Sequence, residues 1–271
     1  LQEGWVWLPD GADGVALWRV ATLEAAGAHA VFSARGGGCS PPPWESLNLG
    51  LAVGDDPDRV AENRRRFARA AGFSPDAAAT AHQVHGAAVA VVIRPGAAGP
   101  ADGLCTECPG VVLTIGAADC AVVYLVDTAR RAVGLCHAGW RGTAADVVGR
   151  TVAAMAEAHG SRPEDLVAAI SPSIGPCCYE VDEPVIRALR DAAPWADDVL
   201  RPGLAGHARL DLAGANRRRL RDAGVPPGSI HAAGVCTACH AEQLYSHRRD
   251  RGRTGRMQAA LWLPPVPPGG R

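Results

Sequence analysis

Residues Gly116 to Val148 read GAADCAVVYLVDTARRAVGLCHAGWRGTAADVV, and the fold turns on how this stretch is laid out. Two apolar runs, Ala121 to Asp127 and Ala132 to His137, flank the polar segment Thr128-Ala129-Arg130-Arg131. That pattern predicts two antiparallel strands joined by a turn. With the turn centred between Ala129 and Arg130, Cys120 falls opposite Gly139 and His137 opposite Val122. Residues two apart along a strand share a face, so the thiol of Cys120 and the imidazole of His137 project to the same side. Such diagonal neighbours sit roughly 7–8 Å apart by Cα, within reach of converging side chains. A one-residue slip in register would send them to opposite faces. The glycines around His137 leave backbone room for a ligand. The pair alone does not define a site. A buried cysteine is commonly a small hydrophobe, and a histidine beside a tryptophan is commonly a satisfied core residue.

The rest of the chain bounds the reading. Its 271 residues, 48% of them hydrophobic, suffice for one sizeable core. The net charge of -1 gives no electrostatic footprint for nucleic acid. All 27 basic residues are arginine. A Schiff-base lysine and a Walker-type phosphate loop are therefore excluded. Arginine, with its planar fork of donors, is left as the side chain for gripping anions. Nine cysteines in a chain this long do not read as a disulfide scaffold. No apolar run reaches the roughly eighteen residues of a membrane span. The expectation is a cytoplasmic protein with free thiols, a monomer or homodimer with no membrane partner.

Strand-like runs also appear at Val89 to Ile93 and Val111 to Ile115. Asp56-Pro57 opens a helix that Gly72 ends. A second helix is expected over Thr143 to Ala158, with Gly160 after it. A third starts at Asp182, and a fourth at Asp211, stopped by Gly224-Val225-Pro226-Pro227. Strands and helices mix without a strict βαβ rhythm. The predicted class is α+β, one domain over 1–263 with a mixed sheet and flanking helices, and a Pro/Gly-rich tail over 264–271 that frays.

A third ligand candidate lies upstream, in Ala81-His82-Gln83-Val84-His85-Gly86 at the mouth of a strand. His, Cys and His make a three-ligand set for catalytic zinc, with the fourth position open. The same donors suit copper, so ligand type alone does not choose the metal.

At this point the chain resembles the YfiH-like family, described as polyphenol oxidase or laccase-domain proteins and as purine nucleoside phosphorylases. The shared motifs are Phe32-Ser33-Ala34-Arg35-Gly36-Gly37, Ser46-Leu47-Asn48-Leu49-Gly50, Glu62-Asn63-Arg64 and Gln83-Val84-His85-Gly86. They continue with Ala101-Asp102-Gly103, Ala118-Asp119-Cys120, His137 to Gly142 and Gly175-Pro176-Cys177-Cys178-Tyr179-Glu180-Val181. Ser246, Arg248-Arg249 and Thr254-Gly255-Arg256 close the series. Each is short, but so many in one order are specific. The resemblance implies a catalytic metal site of His85, Cys120 and His137, leaving His82 as a neighbour. It implies zinc, with copper also attributed. It also implies phosphorolysis of adenosine, inosine and methylthioadenosine, with deamination of adenosine. The position before Arg248, tyrosine in the family, is His247 here; imidazole still stacks, so a modest effect on substrate preference is expected.

Arg35, Arg141 and Arg248 are the candidates for phosphate or ribose contact, Arg141 foremost, and Asn48 for ribose. The plainer alternatives are ion-pairing arginines and a turn-closing asparagine. Asp119 is read as orienting a ligand or capping a turn. Cys105-Thr106-Glu107-Cys108 and Cys236-Thr237-Ala238-Cys239 share C-x-x-C spacing, but a joint zinc site of the two is the weaker reading; Cys236 is expected to be structural or near the pocket. Cys177-Cys178 reads as a buried turn. No H-x-E with P-C-x-x-C is present, so any deamination is unrelated to the zinc deaminases. No histidine pair forms His-x-His, which argues against a true laccase. Two other readings stand beside the phosphorylase. One is a cysteine hydrolase or deamidase with Cys120 as nucleophile and His137 as base, because glutamine deamidases related in fold have a similar layout. The other is a non-enzymatic metal-binding or interaction module.

Overall fold

The computed structural model describes residues 4–9 and 11–265. The expected hairpin lies at its centre. Strand β9 (Ala121–Asp127) pairs antiparallel with β10 (Val133–Ala138), Val126 opposite Val133 and Val122 opposite His137. Asp127 builds the turn: its Oδ1 accepts from the backbone N–H groups of Ala129 and Arg130, each at 2.8 Å. A short acidic side chain bonding its own backbone ahead is what starts such turns.

Strand β9 is buried along its whole length, so both of its faces need cover. Ala121, Val123 and Leu125 enter one core, and Val122, Tyr124 and Val126 enter another. Its unbroken apolar sequence is the mark of a strand buried on two sides. The sheet that holds it is mixed and runs β15 (Ile230–Ala232), β11 (Leu166–Ile170), β9, β10, β7 (Gly103–Thr106), β5 (Val89–Val91). A second sheet runs β1 (Trp5–Leu8), β2 (Leu17–Val20), β3 (His29–Ser33), β16 (Met257–Trp262), β8 (Val112–Ala117), β4 (Ala78–His82), β6 (Gly96–Pro100). The two pack face to face: Tyr124 and Leu135 of one share a core with Phe32, Ile115 and Leu261 of the other. A small third sheet joins β12 (Glu180–Asp182), β14 (His207–Leu210) and β13 (Leu200–Pro202).

Helices close the outer faces. Helices α4 (Val147–His159) and α7 (Leu212–Asp222) bury Val152, Met155, Ala215 and Leu220 against the odd-numbered face of β9. Phe67 of α2 (Pro57–Ala71) packs on Val31, Val112 and Ala260 of the second sheet. Helix α5 (Glu183–Ala192) and the short α1 (Ala21–Ala25), α3 (Trp140–Ala144) and α6 (Ala196–Val199) complete the set among the described residues. The α+β class therefore holds, with the strands divided between stacked sheets. None of the helices among the described residues is long and apolar enough to cross a membrane.

The expected caps of α2 are present: Asp56 accepts from the Asp58 N–H, and Gly72 takes φ +84°. Asp211 caps α7 through the Gly214 N–H. The helix expected over Thr143 to Ala158 is a correction. It breaks at Asp146, which takes φ +60° and caps α4 by accepting from the Gly149 N–H. Arg219 stabilises the break, its Nε donating to the Thr143 carbonyl at 3.0 Å and lying 3.6 Å from the Asp146 carboxylate. Of the tail expected to fray, residues 266–271 lie outside the described residues.

The two large sheets are tied by one buried polar bond. The Tyr124 hydroxyl donates to the Val31 carbonyl at 2.8 Å, with the ring fully buried. Tyr124→Phe is expected to cost about 1–2 kcal/mol, read as a lower denaturant midpoint at unchanged slope. An unshifted midpoint would show that the hydroxyl contributes nothing to holding the sheets together.

Candidate metal centre and adjoining groove

The site begins with a buried acid. Asp102, between β6 and β7, is fully buried. Its carboxylate accepts from three successive backbone N–H groups, Val84 at 3.1 Å, His85 at 3.1 Å and Gly86 at 2.7 Å. That cradle holds His85 at φ +58°, in the left-handed region that residues other than glycine occupy uncommonly. The same carboxylate lies 2.9 Å from His137 Nδ1, and its backbone carbonyl accepts from the His137 N–H at 2.7 Å. One acid thus positions both histidines. Burial by itself raises the Asp102 carboxyl, but the bonds from His137 and the Gly86 N–H outweigh it and hold it below the usual carboxylate range.

Cys120 arrives from the other side. The chain leaves β8 and turns into β9 through Asp119, at φ +85°. The Asp119 carboxylate accepts from Thr237 Oγ1 at 2.6 Å and from the Arg248 N–H at 2.7 Å. It braces the turn beneath Cys120 and the two segments beyond; the acid that orients an imidazole is Asp102. Opposite Cys120 only glycine fits, since a Cβ at Gly139 would lie 2.7 Å from the Cys120 sulfur.

The ligand atoms of His85, Cys120 and His137 lie within 4.8 Å of one another. With Nδ1 of His137 turned to Asp102, its Nε2 is the nitrogen that faces Cys120. The two imidazole rings meet edge to face, centroids 4.8 Å apart. Small rotations bring such donors around one ion at about 2.0–2.3 Å. Carboxylate behind histidine is the arrangement that fixes the tautomer of a metal ligand. The residues fit a metal, and exposed His85 leaves one side open. His82 ends β4, exposed and outside this group.

The two histidines differ in proton affinity. Burial, then the charges of His137, Arg141 and Arg256, push His85 down, with Asp102 opposing. Burial opposes the charged form of His137 too, yet the Cys120 charge and the Asp102 bond carry it up to about 9.

Beside the cluster lies a groove of about 350 Å³ lined by Trp140, Tyr179, Glu180, Val181, Asp182, Val185, His207 and Arg248. Two arginines stack on its aromatics, Arg141 over Trp140 at 4.3 Å and Arg248 over Tyr179 at 5.0 Å. Among the described residues no carboxylate pairs with either. Arg248 does donate to the Glu180 carbonyl at 2.6 Å. Burial first, and then the charge at Cys120, raise the Tyr179 phenol, so it remains a protonated donor. His247 is exposed.

Arg35 and Asn48 are built differently. Arg35 donates to the carbonyls of Glu45 and Ala241 and lies over the Tyr245 ring. Buried Asn48 bonds Gly50, Asp55 and the Arg256 N–H. Both are engaged within the chain. Arg256 was not singled out by sequence, yet it lies close enough to the centre that the charges of Cys120 and Asp119 act on its guanidinium, opposing in part the burial that lowers it. Asp102 was likewise quoted in a motif without a role. Its signal was an acid between Ala101 and Gly103 at the start of a buried strand.

Comparison with known proteins shows the family. Residues 29–264 match the family model described as multi-copper polyphenol oxidoreductase laccase. The chain belongs to the YfiH-like family. A Deinococcus radiodurans protein named purine nucleoside phosphorylase is 44% identical over 253 residues, covering 93% of this chain and 95% of that one. Purine nucleoside phosphorylase YlmD of Geobacillus stearothermophilus is 42% identical over 247 residues, covering 87% and 90%. The crystal structure of Bacillus licheniformis hypothetical protein YfiH superposes with a TM-score of 0.89 at 35% identity, covering 95% of this chain and 98% of that one. In this YfiH-like chain, a mixed His–Cys–His group and an all-cysteine group are the metal-ligand clusters among the described residues.

Two outcomes are expected. His85→Ala should lower the metal content by one ion per chain in elemental analysis, whereas His82→Ala should leave it unchanged; the reverse pattern would mean that the wrong histidine is assigned. The second concerns pH. His137 keeps its proton up to about 9, above the usual value of about 6.5. In metal-free protein the stability from that proton is therefore full below about 6.5 and lost as pH rises through about 9. A metal needs the neutral ring, so metal affinity should climb over the same interval and fall toward acid. Chelator competition at stepped pH measures it, and a flat profile would contradict the assignment of His137 as ligand.

Proposed function

We propose that this chain is a purine nucleoside phosphorylase that also deaminates adenosine, with zinc held by His85, Cys120 and His137. The observation that carries the reading is the open His–Cys–His group beside a groove walled by Trp140, Tyr179 and Arg248, with Arg141 stacked on Trp140. Relatives named purine nucleoside phosphorylase support it. The donor set suits zinc, and copper accepts the same ligands. A bound zinc supplies Lewis acidity toward the purine and a lowered pKa for water.

The chain's own residues do the rest. Trp140 and Tyr179 offer faces on which a purine stacks. Arg141 and Arg256 carry positive charge next to the ligand group and suit a phosphate nucleophile. In phosphorolysis a phosphate oxygen bonds to the ribose C1′ as the bond from C1′ to the base nitrogen breaks. The base leaves with that electron pair and needs a proton, which the Tyr179 hydroxyl is set to donate. In deamination water adds at C6 and ammonia leaves. Arg248 closes the groove through Glu180, whereas Arg35 and Asn48 spend their side-chain bonds within the chain. The reading takes residues 1–263 as one catalytic domain. It includes action in the cytoplasm as a monomer or homodimer, on nucleosides and phosphate.

A second reading rests on a specific alignment. Asp102, His137 and Cys120 stand in line as orienting acid, base and nucleophile, the layout of a cysteine hydrolase or deamidase. Metal-verified protein incubated with adenosine, inosine and methylthioadenosine, with and without phosphate, separates the two by mass spectrometry. Sugar phosphate and free base are expected only with phosphate. Cys120→Ala should abolish phosphorolysis and deamination together, and Arg141→Lys should weaken the phosphate response at least tenfold, because an ammonium lacks the bidentate fork. Loss of one activity alone would refute a shared centre. Covalent labelling of Cys120 in metal-free, active protein would favour the hydrolase.

A further inference from the structure

A second cluster lies outside the mechanism. Cys177 and Cys178, which the sequence suggested as a buried turn, are surface-accessible and meet Cys236 and Cys239 in space. The other C-x-x-C pair is not part of it: Cys105 lies in β7 with its thiol pushed up to about 11 by burial.

We propose that Cys177, Cys178, Cys236 and Cys239 form a structural zinc site, a tetrathiolate separate from the His–Cys–His centre. The four sulfurs lie within 4.8 Å of one another. Cys239 Sγ is 3.6 Å from that of Cys177 and 3.5 Å from that of Cys178. Four sulfurs at about 2.3 Å from one zinc stand about 3.8 Å apart, so the cluster has the size of that tetrahedron. A disulfide needs about 2.05 Å between two sulfurs, and here Cys239 is shared nearly equally between two partners. The backbone supports negative sulfur. Gly175 N–H donates to Cys236 Sγ at 3.2 Å, and the N–H groups of Ala238 and Cys239 also reach that sulfur. Gly175 packs close against the cluster, since a Cβ there would lie 3.3 Å from Cys177 Sγ and 3.6 Å from Cys236 Sγ.

Binding converts four thiols to thiolates and releases four protons, leaving two net negative charges on the complex. Arg209 lies beside the cluster, donating to the Cys177 carbonyl at 2.7 Å, and Arg249, paired with Asp250, donates to the Thr237 carbonyl at 3.2 Å. The position gives the site a purpose. One pair of ligands immediately precedes Tyr179 and Glu180 of the groove. The other flanks Thr237, which holds Asp119 beneath Cys120. Zinc would lock the groove wall to the brace of the catalytic turn.

The test uses the full chain carrying His85→Ala and Cys120→Ala, which removes the first site. Stripped of metal under reducing conditions and titrated with cobalt, it should bind one ion per chain. The spectrum should show the intense charge-transfer absorption of four thiolates, and zinc should displace the cobalt. The unaltered protein should hold two zinc ions per chain, and Cys178→Ser/Cys239→Ser one. Should that variant fail to fold, alkylation of the unaltered protein gives the same answer: five thiols, Cys120 and the four of the cluster, protected with zinc and released by chelator. Absence of thiolate–cobalt absorption, a disulfide at Cys239 in protein as purified, or iron in place of zinc would each overturn the proposal.

Discussion

The candidate centre depends on one buried carboxylate. Asp102 accepts from three consecutive backbone N–H groups and from an imidazole, and no solvent reaches it. A buried charge is tolerated when its lone pairs are filled, and here four donors converge on it. The consequence reaches past electrostatics. The loop of residues 84–86 has no strand or helix to hold it, and His85 sits in the left-handed region at φ +58°. The acid that enforces this conformation also selects the tautomer of His137. Histidines from distant parts of the chain become one pair because they share Asp102.

The stacked sheets explain why the pair meets a thiol. Strand β8 belongs to one sheet and β9 to the other, so the chain must cross between them within three residues. Asp119 makes the crossing and Cys120 rides on it. The antiparallel register then presents His137 to the same face, and Gly139 leaves the sulfur room. The rigid elements around the hairpin hold these atoms, while the segments at 175–181 and 236–249 wrap the open side and bring aromatics and arginines.

Much of this is legible in the sequence. The hairpin register followed from a polar turn between apolar runs, and Asp127 confirms it by bonding the turn's backbone. The caps of α2 and α7 were readable because Asp56, Gly72 and Asp211 act on neighbours a few residues away. What was not legible is what depends on distant partners. The break at Asp146 needs Arg219 from α7 to stabilise it. Strand β6, reading Gly96-Ala97-Ala98-Gly99-Pro100, looks like a loop and is a strand because it pairs with β4. The partnership of Cys177 and Cys178 with Cys236 and Cys239 has no local signature. The role of Asp102 was hidden for the same reason, since its partners lie 16 to 35 residues away. Arg35 and Asn48, conspicuous within motifs, turn out to spend their donors on the chain itself.

The central claim is that Asp102 organises both histidine ligands of the centre, and Asp102→Asn tests it most directly. The amide keeps the size of the carboxylate but loses its charge, and its NH₂ faces groups that themselves donate. Zinc affinity of folded Asp102→Asn protein, measured by chelator competition at neutral pH, should fall roughly 10- to 100-fold, the range for loss of a partner behind a ligating histidine. Thermal unfolding of the metal-free forms checks that the fold persists. Affinity equal to that of the unaltered protein, in a folded variant, would contradict the account.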